Sequence, residues 1–191
     1  GLAGVSSSQI EMNANLQFYD GMSTSEIQEI LVRSANDLIS LDVPNYQFAA
    51  ARLLGYNVNK EVFGRYSPIS LREMIDLNIK RGVYDAEILE WYTDEELERL
   101  DSYIHHKRDE NFTYAGLRQV VDKYLCQDRS TNQLFETPQF MYMMIAATLF
   151  AQYPRETRMH YVRRYYDATS LFRINIPTPV MAGVRTPVRQ F

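Results

Sequence analysis

Between Thr137-Pro138 and Pro154 the chain carries its longest apolar run, Phe140 to Phe150. The run is about 11 residues, against the roughly 20 needed to cross a bilayer. Thr137-Pro138 is a favourable helix start, because proline in the first turn gives up only an amide that has no partner there. A helix that is apolar on every side has to be covered on every side. The feature therefore predicts a core helix, with the rest of the chain wrapped round it. Apolar residues make up 46% of the sequence, ample for that cover and too many for a disordered protein.

The 191 residues suit one domain or a small lobe of a larger one. A formal net charge of −4, without long blocks of like charge, argues against a nucleic-acid partner and a membrane partner. One cysteine, Cys126, cannot form an internal disulfide or a redox pair. It reads as a small buried apolar residue. No signal-peptide pattern stands in the first residues, and the expected location is cytoplasmic.

Most of the remaining chain carries helical signals. Ile10, Ala14 and Phe18 recur at helical spacing up to Asp20-Gly21. Ser23-Thr24-Ser25-Glu26 is a capping box that opens a helix with Ile27, Leu31, Ser34 and Leu38 on one stripe, ended by Val43-Pro44. Further helices are predicted from Tyr46 to about Arg65, from Leu71 to Arg81 before Gly82, and after the second box, Thr93-Asp94-Glu95-Glu96. Pro154 opens another, with Met159, Val162, Tyr166 and Thr169 inward. Two segments read as β structure: a short hairpin near 123–136 around Asp128-Arg129-Ser130-Thr131-Asn132, and an alternating strand from Phe172 to Ile176. A strand there would leave a free edge and predicts self-association.

Catalytic signals are sparse. His105 and His106 are neighbours that point different ways, and no metal site is expected. His106 and Glu110 read as a solvated surface pair, and the acidic turn at Asp94 to Glu96 as dipole-favouring capping. The tyrosines and Met141, Met143 and Met144 read as packing. Pro177-Thr178-Pro179 stands apart: two prolines favour an extended backbone that aims the Thr178 hydroxyl. The Gly183, Arg185 and Thr186 that follow suit either a phosphate contact or a structural connector.

The stretch from Phe172 to Phe191, FRINIPTPVMAGVRTPVRQF, resembles the signature of the class I ribonucleotide reductase large subunit. Phe18-Tyr19-Asp20-Gly21, Pro44-Asn45-Tyr46-Gln47, Ala50-Ala51-Arg52-Leu53, Lys123-Tyr124-Leu125 and Tyr153-Pro154-Arg155-Glu156-Thr157-Arg158 agree in order, most closely with the bacterial and phage type. The fold class implied is mainly α. Residues 1–64 would be the helical part of an ATP cone, 65–171 a helical domain with the hairpin, and 172–191 the first strand of a ten-stranded α/β barrel.

The activity implied is reduction of ribonucleoside diphosphates to the 2′-deoxy form by a cysteine thiyl radical. No catalytic residue is expected within this chain, the family's cysteines lying beyond Phe191. The resemblance places Thr178 in the substrate pocket, and Thr24 and Lys60 at the site for allosteric ATP or dATP. Gln28 stands where bacterial relatives often carry a histidine. It also implies a radical from the metal centre of a small subunit, and thioredoxin or glutaredoxin as reductant. The expected partners are the remainder of the large subunit, the small subunit and the diphosphate substrate, and no cofactor is expected to be bound by this chain itself. The alternative is a non-catalytic helical module that senses nucleotide or binds protein, which would have no use for a Pro-Thr-Pro substrate segment.

Overall fold

The computed structural model describes residues 1–188; Arg189 to Phe191, part of the signature stretch, lie outside the described residues. The chain runs α1 (Ser7–Asn15), α2 (Thr24–Asp37), α3 (Tyr46–Phe63), α4 (Leu71–Lys80), α5 (Ile88–Trp91) and α6 (Asp94–Asp101). A 3-10 turn at His106–Asn111 leads to α7 (Tyr114–Lys123), α8 (Pro138–Leu149), α9 (Arg155–Ser170) and α10 (Thr178–Gly183).

Local chemistry sets most of the starts. Ser23 and Thr93 each accept a hydrogen bond from the amide three residues on, while Glu26 and Glu96 reach back to the cap amide, so both capping boxes form. Ser6, Ser70 and Thr113 cap α1, α4 and α7 through their hydroxyls. The C-cap of α3 is Gly64, at φ 68°, a left-handed conformation that glycine adopts without a Cβ clash. The ends of two early helices fall short of the sequence expectation. Helix α1 stops at Asn15 and leaves Phe18 exposed, and α2 stops at Asp37, with Leu38 as its cap rather than Val43-Pro44.

Helix α8 is the centre. Every residue from Pro138 to Ala147 is buried, against α9 on one side and the 3-10 turn and α10 on others. Helix α3 packs on α2, α7 and the 3-10 turn, and α4 on α6. A main core takes in Leu54, Leu71, Ile75, Leu97, Leu117, Phe140 and Tyr166. A smaller cluster of Ile10, Ala35, Tyr46, Ala49 and Ala50 joins the first three helices. No helix among the described residues is long and apolar enough to cross a membrane.

Neither predicted β segment forms as such. The hairpin reduces to one antiparallel bridge, Gln127 with Leu134. Its extension is blocked at the Cys126–Phe135 pair. Phe135 N donates to the Cys126 carbonyl at 2.9 Å, but Cys126 N, which the ladder would need in return, donates to Glu136 Oε1 at 2.7 Å. The strand from Phe172 to Ile176 is replaced by a helix terminator. Phe172 takes φ 57°, and the amides of Arg173 and Ile174 both turn back to the Ala168 carbonyl, at 2.8 and 3.3 Å. The Phe172 ring packs edge-on against Phe112, with centroids 4.7 Å apart. With no barrel strand there, the argument for a self-associating free edge also falls. The prolines around Thr178 sit at the N-cap and in the first turn of α10, where an amide is dispensable, so Thr178 begins a short helix rather than ending a strand.

Candidate functional site

Two regions carry the residues singled out in the sequence. The first lies at the start of α2. Lys60, in the last turn of α3, places Nζ 3.5 Å from the Thr24 Oγ1 hydroxyl, so the fold brings together two residues far apart in the chain. The capping box engages the amides of Ser23 and Glu26. The Thr24 and Ser25 amides precede the intrahelical ladder and belong to the partial positive charge of the helix start. One turn along, Gln28 Nε2 donates to the Tyr66 hydroxyl at 3.2 Å, and the Tyr66 ring meets Tyr56 edge-on at 6.0 Å. Beside them a cleft of about 260 Å³ is lined by Gln28, Leu31, Leu53, Tyr56, Asn57 and Tyr66. A cation and a hydroxyl at a helix start, next to an aromatic-walled cleft, provide the features needed for phosphate and base.

The second region is the start of α10. Thr178 is exposed, and its Oγ1 lies 3.3 Å from the Tyr124 hydroxyl. Hydrogen bonding with Thr178, and further with Gln119, holds the Tyr124 phenol below its ordinary value. Tyr124, Gln119, Asn175 and Met181 are among the residues round a cleft of about 290 Å³.

Arg185, for which the sequence leaves a phosphate contact and a structural connector open, takes the structural part and is not available to a ligand. It is buried, and its guanidinium binds Glu136, itself fully buried, with Nε 2.9 Å from Oε2. The Tyr84 hydroxyl donates to the same carboxylate at 2.5 Å. Burial works against the arginine charge, and the Glu136 carboxylate outweighs it and holds the proton more firmly. Nothing in the local sequence announces this pair, because its partners stand on separate segments with no shared periodicity. Cys126 is buried in the same cluster, its thiol pushed up by burial and by the nearby Glu136 charge.

His106 also departs from its sequence reading. Its ring is half-buried against Phe140, with centroids 5.0 Å apart, while Glu110 turns to Arg52 at 3.7 Å. Among the described residues no group of three or more His, Cys, Asp or Glu side chains is placed to hold a metal ion.

Comparison with known proteins gives a consistent result. A family model described as the ribonucleotide reductase all-alpha domain matches residues 110–189. The alpha subunit of ribonucleoside-diphosphate reductase 1 from Escherichia coli K12 is 48% identical over 191 residues, all of this chain and 25% of that protein. The ribonucleoside-diphosphate reductase alpha subunit of Haemophilus influenzae is 47% identical over the same span, again 25% of its length. That of Enterobacteria phage T4 is 43% identical over 190 residues, 98% of this chain and 25% of the relative. The chain thus spans about a quarter of the length of these curated relatives. With similarity running from the capped start of α2 through the Pro-Thr-Pro turn, the chain belongs to the ribonucleotide reductase large-subunit family and corresponds to the N-terminal part of that subunit.

Proposed function

We propose that this chain serves as the N-terminal part of a cytoplasmic ribonucleoside-diphosphate reductase, whose complete large subunit reduces ribonucleoside diphosphates to the 2′-deoxy form by thiyl-radical chemistry. The observation that carries this reading is identity near one half sustained across all 191 residues with the Escherichia coli alpha subunit. Residues 1–64 act as the helical part of an ATP cone and 65–171 as the helical domain that supports the catalytic part. Thr24 and Lys60 hold the phosphates of allosteric ATP or dATP; their 3.5 Å contact at a helix start supports the assignment. Thr178 contacts the substrate nucleotide. The partners are the remainder of the large subunit and the radical-supplying small subunit, and thioredoxin or glutaredoxin returns the electrons.

The test is reconstitution. This chain is mixed with a polypeptide carrying the remaining three-quarters of the subunit, the small subunit is added, and reduction of cytidine diphosphate is followed. Turnover that depends on this chain and falls with Thr178→Ala supports the reading. Association of the folded pieces without any turnover would sink it.

A further inference from the structure

Tyr124, the C-cap of α7, is tied to the α10 segment at two points. Its hydroxyl lies 3.3 Å from Thr178 Oγ1, at the start of α10. Its backbone carbonyl accepts a 2.9 Å hydrogen bond from Arg185 Nη2, just past the end of α10. Arg185 is in turn fixed by Glu136 and by the Met181 carbonyl, and its own carbonyl accepts from the Asp85 amide at 3.0 Å. A buried ion pair with these bonds satisfied has little freedom to shift. The spacing between the Tyr124 ring and the first turn of α10 is therefore set by the core rather than by solvent-exposed loops.

We infer that Tyr124 is a positioning residue for the nucleotide substrate, acting by orienting the Thr178 hydroxyl. Either hydroxyl can donate across this contact. When an anionic ligand accepts from Thr178, the neutral phenol donates to Thr178 Oγ1 and the threonine hydrogen points outward to the ligand. Two donors in series also polarise each other. The cleft beside Tyr124, with Gln119, Asn175 and Met181 on its walls, leaves open space next to this pair. The inference rests on the assignment of Thr178 to the substrate.

The test uses the complete large subunit with its small subunit. Tyr124→Phe removes only the hydroxyl; the ring remains, and Arg185 binds a carbonyl that any residue supplies. Expected is a KM for cytidine diphosphate raised about fivefold, with kcat changed by less than about twofold and the melting temperature unaltered. In a Thr178→Val background, Tyr124→Phe is expected to add nothing further, because its route to the substrate is already gone. If Thr178→Val raises KM while Tyr124→Phe leaves it unchanged, or if the two effects simply multiply, the inference is overturned and the substrate assignment stands. If Thr178→Val itself leaves KM unchanged, the assignment fails and the inference with it.

Discussion

The Gln139 side-chain amide donates a 2.8 Å hydrogen bond to Asp109 Oδ1, joining the central helix α8 to the 3-10 turn beneath α3. The same Gln139 accepts from the Tyr166 hydroxyl at 2.6 Å, and that hydroxyl takes the His105 amide at 2.8 Å. Arg108 closes the arrangement, lying over the Tyr166 ring and binding Asp167 at 2.7 Å. Burial pushes the Asp109 carboxyl up to about 7, against the opposing pull of the Gln139 hydrogen bond.

That carboxyl makes stability depend on pH. The unfolded chain releases the Asp109 proton near pH 4 and the folded chain keeps it to about 7, so this group lowers stability as pH rises between those values. His106 acts oppositely. Burial, with a smaller push from His105, lowers it to about 4, so it favours folding increasingly as pH rises from about 4 to 6.5. The two slopes oppose each other below pH 6.5. Asp109→Asn keeps an acceptor for Gln139 and removes the ionisation. Urea unfolding is expected to show it stabilising the chain more at pH 8 than at pH 5, by on the order of 2 kcal/mol. Equal effects at both pH values would refute this account.

Glu96 joins two kinds of stabilisation. It completes the capping box on Thr93, 2.9 Å away, and binds the buried Arg158, whose guanidinium also stacks 4.3 Å from the Tyr92 ring. Burial opposes its charge, yet the Thr93 amide and Arg158 together hold the carboxyl below its ordinary value. A depressed carboxyl stabilises the fold above the unfolded pKa and loses that contribution as pH falls through the folded one. Glu96→Ala leaves a buried cation without its partner and is expected to cost about 3–5 kcal/mol at pH 7, read from chemical denaturation. A loss under about 1 kcal/mol would mean that the pair behaves as a surface contact.

The same partition between local and distant chemistry governs how much of the molecule could be read in the sequence. Both capping boxes, the Pro138 start and the inward stripe of α9 are written within four residues of where they act, and they form as expected. The Phe172–Ile176 alternation looked like a strand because period two is also what a chain shows while wrapping back over a helix end. Only the left-handed Phe172 distinguishes them, and no sequence rule puts a phenylalanine there. The hairpin stops short for a related reason: the buried Glu136, held by Arg185 from a distant segment, takes the Cys126 amide that the ladder would need. Thr24 and Lys60 stand out in the sequence only by resemblance, and α2–α3 packing brings them together. The Arg185–Glu136 pair had no signal at all, since a buried charge looks the same in sequence as a solvated one.

Cys126 is expected to be inert while the fold persists. Its thiol is buried and shifted away from the reactive thiolate, first by burial and then by Glu136. Mass spectrometry after iodoacetamide treatment is expected to show modification in denaturant and little or none at pH 8 without it. Rapid labelling of the native chain would show that the Glu136 cluster opens.

At the start of α2, Lys60→Gln and Thr24→Val are each expected to weaken dATP binding by the complete subunit about tenfold, as for the loss of one charge-assisted hydrogen bond. Because the two side chains are in contact, the double variant is expected to fall short of the product of the single effects. Calorimetric titration measures this, and unchanged affinity in both single variants would remove the effector assignment.

Helix α8 has no neutral side, since every residue from Pro138 to Ala147 is committed to a neighbour. One residue gained or lost within it would rotate all that follows by about 100° and offer each side chain to the wrong partner. An insertion or deletion in this region would therefore be accommodated only in the loops before Thr137 and after Phe150. The helix acts as a fixed ruler from which the positions of the 3-10 turn, α9 and α10 are all measured.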